Sequence, residues 1–350
     1  MDTPLGIFEQ SVLTDLIRRP ISTSFEDQPR LGDLIAPFKD VKARSAKIIT
    51  TQNRAFGIGQ FKAPAATPAL YKDESTWQET VIELALQEEM MRINSEEWLK
   101  LNSSDETIRA TAGASLVDKG MMLQRRNERL TEWMRWQAFA GELTITYPTG
   151  SQEYINYGLT AAQKPTVGTL WSNTASADPI ADMRSWSSTI ASLSGFYGTR
   201  YHMSSDTFEY LVRNASVRSL LTATDRPMLI PRKEDILSLL RDGTEIVLYD
   251  DGYRDEAVGT SRGVPDSLTR FLPRGKVLVT TDYVVDGLAI ADTLDGQVVV
   301  NNGYNQIDIK QGPQAEVILD NLSKTHHLRV ASARIPRLNV PECFLYATVA

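Results

Sequence analysis

A single long helix constrains this chain more than any other feature. Ile108, Ala112, Leu116, Leu123, Leu130, Met134 and Ala138 recur at steps of four or seven residues, a spacing that gathers side chains on one face of a helix. Ser103 followed by Glu106 has the spacing of a capping box, which marks a start, and Gly141 marks a stop. The pattern predicts a helix over 104–140, a rod of about 55 Å at roughly 1.5 Å per residue. Gly120 and Asn127 interrupt the stripe and no heptad persists, so packing on a sheet is expected rather than a free coiled coil. The opposite side carries Arg109, Asp118, Arg125, Glu128 and Arg129, and Arg129, Glu132 and Arg135 follow at three-residue steps. That face is expected to be solvated or to meet another subunit. Trp133, Trp136 and Phe139 thicken the C-terminal end of the rod and are expected as core, with an interface role open to one of them.

The flanking segments are organised differently. Residues 1–41 include Pro4, Pro20, Pro29 and Pro37, each of which limits helix and removes a backbone donor, and they predict an extended arm. Val41 to Thr51 reads as a strand, and Glu79 to Met90 as an apolar-rich segment able to pair with it. Between them, Gly57, Gly59, Pro64 and Pro68 stand beside Phe56, Phe61, Tyr71 and Trp77 with no period that would bury those aromatics locally. Such a loop either presents a partner surface or folds back on its own domain. After a Gly- and Thr-rich stretch, Asp178 and Pro179 form a cap and first turn, and Ile180, Met183, Ile190 and Leu193 carry a helix to about Ser194. Arg200–Met203 then reads as a strand, Ser205–Arg213 and Arg232–Arg241 as helices, and Thr244–Tyr249 as a buried strand. Short apolar runs at 276–281, 298–300, 316–319, 328–331 and 344–349 predict a β-rich tail.

Composition removes several function classes. The 350 residues, 42% hydrophobic and 23% charged, have a globular balance, and a net charge of -7 argues against a dedicated nucleic-acid binder. Cys343 is alone and makes no internal disulfide, Met1 to Gln10 lack the basic and apolar regions of a signal peptide, and no apolar run approaches membrane-spanning length. A soluble chain made in a reducing cytosol is expected. The sequons at Asn102, Asn214 and Asn321 are chance triplets.

A search for chemistry finds little. His202 stands near Ser204 and Asp206, but no Gly-flanked nucleophile elbow surrounds Ser204 or Ser205, and these serines read as helix caps. His326 and His327 are consecutive, which in a strand turns them to opposite faces. Asp250, Asp251, Gly252, Asp255 and Glu256 lack the ligand spacing of a calcium loop and read as a turn. Gly57 and Gly59 are half of a dinucleotide fingerprint with no helix after them, and the Arg125–Arg126 pair is balanced by neighbouring acids. No catalytic, cofactor-binding or metal-binding residue is assigned.

The order of elements, with its motifs, resembles the phage major capsid protein E family, the lambda-type branch of the Hong Kong 97 capsid fold. Arg126, Arg129, Glu132, Trp133, Ala138 and Gly141, followed by Leu143 to Ile145, resemble the family's spine-helix ending. Trp171 with Asp178, Pro179 and Asp182 resembles its next helix start, Met203, Phe208, Leu211 and Asn214 the strand and helix after it. Tyr249, Gly252, Tyr253 and Asp255, then Phe271 to Pro273 and Gly275, resemble a later loop and strand, although the segment 256–270 is longer and more polar than the family's.

The resemblance implies an α+β Hong Kong 97-type fold: an N-terminal arm over 1–41, an extended loop hairpin over 42–92, a peripheral domain over 93–170 with the spine helix, an axial α/β domain over 171–290, and a β-rich return to the peripheral domain over 291–350. It implies a structural, non-enzymatic subunit of a tailed-phage virion, self-assembling in the host cytoplasm into hexamers and pentamers of an icosahedral shell around double-stranded DNA. The partners implied are further copies of the chain, a separate scaffolding protein, a portal, a decoration protein, and packaged DNA without sequence-specific readout; no membrane and no cofactor are implied. Subunit contacts are expected at Phe56, Phe61, Tyr71, Trp77, Arg125, Arg129, Arg135, Asp250 and Tyr253. The competing readings are an encapsulin-like nanocompartment shell, a soluble α/β enzyme of unknown substrate, and a tail-tube component.

Overall fold

The structure is a computed structural model that describes residues 13–15, 30–52, 77–147, 150–222, 231–254, 268–301, 307–320 and 325–350. Its helices are α1 (Leu31–Ile35), α2 (Ser95–Leu101), α3 (Glu106–Phe139), α4 (Pro179–Ser194), α5 (Ser205–Arg213), α6 (Ala215–Thr222) and α7 (Lys233–Leu237). The strands are β1 (Phe38–Asp40), β2 (Ser45–Gln52), β3 (Trp77–Glu83), β4 (Ala85–Ile93), β5 (Glu142–Thr146), β6 (Gln152–Asn156), β7 (Arg200–Met203), β8 (Glu245–Leu248), β9 (Gly252–Tyr253), β10 (Thr269–Arg270), β11 (Lys276–Thr280), β12 (Val284–Val285), β13 (Leu288–Ala289), β14 (Ala291–Asp295), β15 (Gln297–Asn301), β16 (Ile307–Gln311), β17 (Gln314–Asp320), β18 (Thr325–Leu338) and β19 (Phe344–Thr348). The chain divides into two compact units: Met1–Ala46, Val81–Trp136 and Asp292–Arg337 form the first, and Lys47–Thr80, Gln137–Ala291 and Leu338–Ala350 the second.

The long helix is present, with different ends and a different buried seam from those its sequence suggests. Asp105, not Ser103, caps it: its Oδ1 accepts from the amides of Thr107 at 2.9 Å and Ile108 at 3.4 Å, while the Ser103 hydroxyl accepts from the Asp105 amide. Gly141 stops it at φ 94°, where a Cβ would stand 2.8 Å from Leu159 Cδ1. The 34 residues between give a rod of about 51 Å. Ile108 and Leu130, expected on the apolar stripe, are exposed. The buried seam runs instead through Leu116, Gly120, Leu123, Asn127, Thr131, Met134 and Ala138, at steps of three and four. Gly120 and Asn127, taken in the sequence for interruptions, lie inside it.

This seam packs on the mixed sheet of the first unit, ordered β1-β14-β18-β17, with β4 also paired to β18. At 14 residues β18 is long enough to pair with β17 from Thr325 to Ala331 and with β4 from His326 to Arg334. Leu116 and Leu123 enter an apolar core with Ile93, Leu101, Ala315, Leu328 and Val330. Further along, contacts become polar: Asn127 Nδ2 donates to the Val330 carbonyl at 3.4 Å, and the hydroxyls of Thr131 and Ser332 both donate to Gln87 Oε1, at 3.0 and 3.1 Å. Residues 31–40, expected in an extended arm, contain the short helix α1 before β1, which pairs parallel to β14.

The second unit is built on a four-stranded sheet ordered β19-β11-β7-β8. Strands β7 and β8 are parallel, joined through the crossover that contains α5, α6 and α7. Asp178 caps α4 through the Ala181 amide and Pro179 opens it, as expected. Ile180, Met183, Trp186 and Ile190 then pack with Tyr201, Met203, Val277, Val279 and Leu345. Ser204 Oγ caps α5 by accepting from the Thr207 amide. The helix expected over Arg232–Arg241 is shorter: after Leu237 the chain tightens into three-residue turns, from Leu239 N to Ile236 O and Leu240 N to Leu237 O, and Gly243 at φ 80° redirects it.

Candidate assembly surfaces

The charged side of α3 splits into a buried part and a half-buried part. Arg135 is 1% exposed and Glu132 fully buried, which corrects the expectation that these two lie on a solvated or intersubunit face. Their partners come from α1, from β14 and from α3 itself. The Glu132 carboxylate accepts from the Gly32 amide at 3.0 Å, from Trp136 Nε1 at 2.8 Å and from Arg135 Nη1 at 3.3 Å. Arg135 also donates to Asp33 Oδ1 at 2.5 Å and to Thr293 Oγ1 at 2.7 Å. The Arg135 guanidinium lies 4.6 Å from the centroid of the Phe38 ring, and that of Arg334 4.5 Å from it, so the ring stands against two cations. A buried carboxylate with three donors and a buried guanidinium with three acceptors make an internal network in which, among the described residues, Arg135 Nη2 alone has no hydrogen-bond partner, and the burial of Arg135 leaves it little surface to offer a neighbour.

Arg125 and Arg129 are half-buried on the same helix. Phe56, Phe61 and Tyr71 lie outside the described residues, and Trp77 opens β3 with its side chain outside the described groups. β2 and β3 form the expected two-stranded pair.

The structure gives Asp250 and Tyr253 separate partners within the chain. Asp250 Oδ1 accepts from the Ser205 amide at 3.0 Å at the start of α5, the Ser205 hydroxyl bonds its other oxygen, and Arg270 Nη2 approaches it at 3.5 Å. Arg270 Nη1 also meets Asp206 at 2.5 Å. Tyr253 packs on Phe271 at 5.5 Å between ring centroids, with Tyr249 on the same ring at 6.5 Å. These contacts fix β9 and β10, the two strands that flank the segment 255–267, against α5.

Sequence reasoning missed Arg329. On β18 its guanidinium forks onto Glu88 of β4 at 2.7 and 3.1 Å, pairs with the nearly buried Glu316 of β17, and donates to the Val299 carbonyl of β15 at 3.1 Å. Four strands meet at one residue, and the only signal for it in the sequence is an arginine inside a β-patterned run. Trp98 stacked on His326, 3.5 Å between centroids, was likewise unreadable across more than two hundred residues. The remaining titratable candidate, His202, is fully buried between β11 and β8; Nε2 meets Thr280 Oγ1 at 3.3 Å, and burial, aided by the nearby Arg200 charge, pushes its pKa down to about 3. Among the described residues no group of three or more His, Cys, Asp or Glu side chains is placed to hold a metal ion, and no helix is long and apolar enough to cross a membrane.

A family model described as phage major capsid protein E matches residues 59–304. Two solved structures cover almost the entire chain. One, designated as a prophage capsid protein of E. coli CFT073, has 14% identity and a TM-score of 0.58, with 98% of this chain and 99% of its own covered. The other, a phage-related protein of Bordetella bronchiseptica RB50, has 14% identity and a TM-score of 0.55, with 97% of each chain covered. At such identity the likeness concerns the fold, and it agrees with the α+β Hong Kong 97-type architecture expected from the resemblance. No curated sequence is significantly similar to the chain.

Proposed function

The chain belongs to the phage major capsid protein E family, and from that premise we propose that it builds the icosahedral shell of a tailed phage by closing hexamers and pentamers of itself around double-stranded DNA. The match of the family model over more than two thirds of the chain carries this reading. The protein is a structural component of the virion capsid and performs no catalysis; it assembles in the host cytoplasm on a separate scaffolding protein, with a portal and a decoration protein as further partners. The unit holding most of α3 and the long β18 acts as the peripheral domain, and the unit built on the β7–β8 sheet as the axial domain. The loop with Phe56, Phe61, Tyr71 and Trp77 lies across a neighbouring subunit, and Arg125, Arg129, Asp250 and Tyr253 contribute to contacts within or between capsomers. Many modest contacts then sum in a closed assembly. A net charge of -7 on each copy keeps the genome loosely held.

Electron microscopy of the chain expressed alone and with its scaffolding protein tests the proposal. Closed shells, sheets or tubes of capsomers are expected. A chain that stays monomeric under every assembly condition, or a shell that copurifies with an enclosed enzyme and never takes up DNA, would refute it.

A further inference from the structure

A cleft of about 340 Å³ in the second unit is lined by Arg184, Ser187, Ser188, Tyr197, Arg241 and Thr244, together with Leu239 and Leu240. Both arginines are exposed, yet both are held. Arg184 Nη2 donates to the Leu239 carbonyl at 2.5 Å, and the Arg241 guanidinium lies 3.6 Å from the centroid of the Tyr197 ring. No carboxylate lines the cleft. Of the acids nearest in sequence, Glu245 is committed to Arg200 at 2.5 Å and Asp242 is exposed beside Arg241. Among the described residues, then, two held cations share a cleft of mixed polar and apolar lining without an ion-pair partner, on a chain with 44 acidic against 37 basic residues.

We propose that this cleft receives an aspartate or glutamate side chain of a neighbouring copy of the chain. Guanidinium groups already fixed by a carbonyl and a ring lose little freedom on pairing, and their planar forks match the two oxygens of a carboxylate. Leu239, Leu240 and Tyr197 suit the methylene stem behind it. A phosphate fits less well: the hydroxyls of Ser187 and Tyr201 are spent on the carbonyls of Gly198 and Met183, at 2.8 and 2.7 Å, which leaves fewer neutral donors for a third oxygen. An acid-rich partner with many exposed carboxylates is what each neighbouring copy supplies. The inference rests on the shell reading above, and its test separates the two.

Assembled shells of an Arg241→Lys variant, treated with a carbodiimide, should yield an amide between position 241 and an aspartate or glutamate of another subunit, read by mass spectrometry of the digested shell. The double substitution Arg184→Gln with Arg241→Gln should leave the unassembled subunit's circular dichroism unchanged while lowering shell yield at least tenfold at physiological salt. If the wild-type chain assembles and the double variant assembles equally well at every salt concentration, the cleft proposal fails and the shell function stands. Cross-links only within a subunit would overturn it too. So would normal empty shells from the double variant that fail only in DNA retention, which would give the cleft to phosphate. A wild-type chain that never assembles overturns the shell reading itself.

Discussion

Gly32 and Glu132 should behave as one unit in a double-mutant cycle, with a change of sign. The Glu132 carboxylate is fully buried and held by three donors, from Gly32, Trp136 and Arg135. Glu132→Ala removes the acceptor from all three and leaves part of the Arg135 charge uncompensated in the interior, which costs about 3–5 kcal/mol. A Cβ at Gly32 would stand 2.7 Å from Glu132 Cδ and collide with its oxygens. Because the carboxylate is pinned, it cannot swing away, so Gly32→Ala should cost about 1–3 kcal/mol in the wild-type background. With Glu132→Ala already present, the obstruction is gone and alanine's better helix propensity in α1 remains, worth up to about 1 kcal/mol in favour. Gly32→Ala should therefore destabilise the wild type and be neutral or stabilising in the Glu132→Ala background, a coupling on the order of 2 kcal/mol. Urea unfolding of unassembled subunits measures all four corners. If Gly32→Ala costs the same in both backgrounds, the carboxylate is not what excludes a side chain at position 32, and the docking of α1 on α3 described above is wrong.

Two further outcomes follow from buried charge. His202 titrates at about 3 in the folded chain against an ordinary value near 6.5, so the unfolded chain binds its proton first; stability should fall as pH drops from about 6.5 towards 3, by about 2 kcal/mol at pH 5 relative to pH 7, and His202→Gln should flatten that slope in pH-dependent unfolding. Equal slopes for the two proteins would assign the acid sensitivity elsewhere. Arg329→Ala strands the nearly buried Glu316 and should cost about 3–5 kcal/mol, whereas Arg329→Lys keeps the charge but loses the fork onto Glu88 and should cost clearly less; thermal melts in which the two variants coincide would mean that the geometry of the guanidinium contributes nothing.

Local signals reported local structure well. The stop at Gly141, the cap and first turn at Asp178 and Pro179, and the serine cap before α5 each depend on residues within a few positions, and each is where the sequence placed it. The start of α3 was misplaced because Ser103 and Asp105 both suit a cap, and only the folded backbone shows which oxygen reaches the Thr107 amide. Burial on α3 was misjudged for a different reason. Arg135 and Glu132 read as surface because charge is usually solvated, yet Asp33 and Gly32 arrive from a hundred residues away to accept and donate. Asn127 read as a break in the stripe, and its partner is the Val330 carbonyl, 203 positions distant. No window of sequence contains both halves of such a pair.

Those misread positions also explain how a rod of about 51 Å finds one place on its sheet. Apolar contacts such as Leu116 and Leu123 against Leu328 and Val330 are non-directional, and a helix held by them alone could shift by one turn, about 5.4 Å, and still bury much of the same area. A polar contact tolerates no such shift. Moving α3 by a turn would take Asn127 from Val330, Thr131 from Gln87 and Glu132 from Gly32 together, leaving buried donors and acceptors unpaired at about 1–3 kcal/mol each. The polar residues in the seam thus act less as a source of net stability than as a register, and they draw α1, β4, β18 and the helix into one arrangement from three separate stretches of chain. A subunit that must meet identical neighbours needs that uniqueness more than it needs extra stability, because an error in register within one copy would be repeated at every contact it makes.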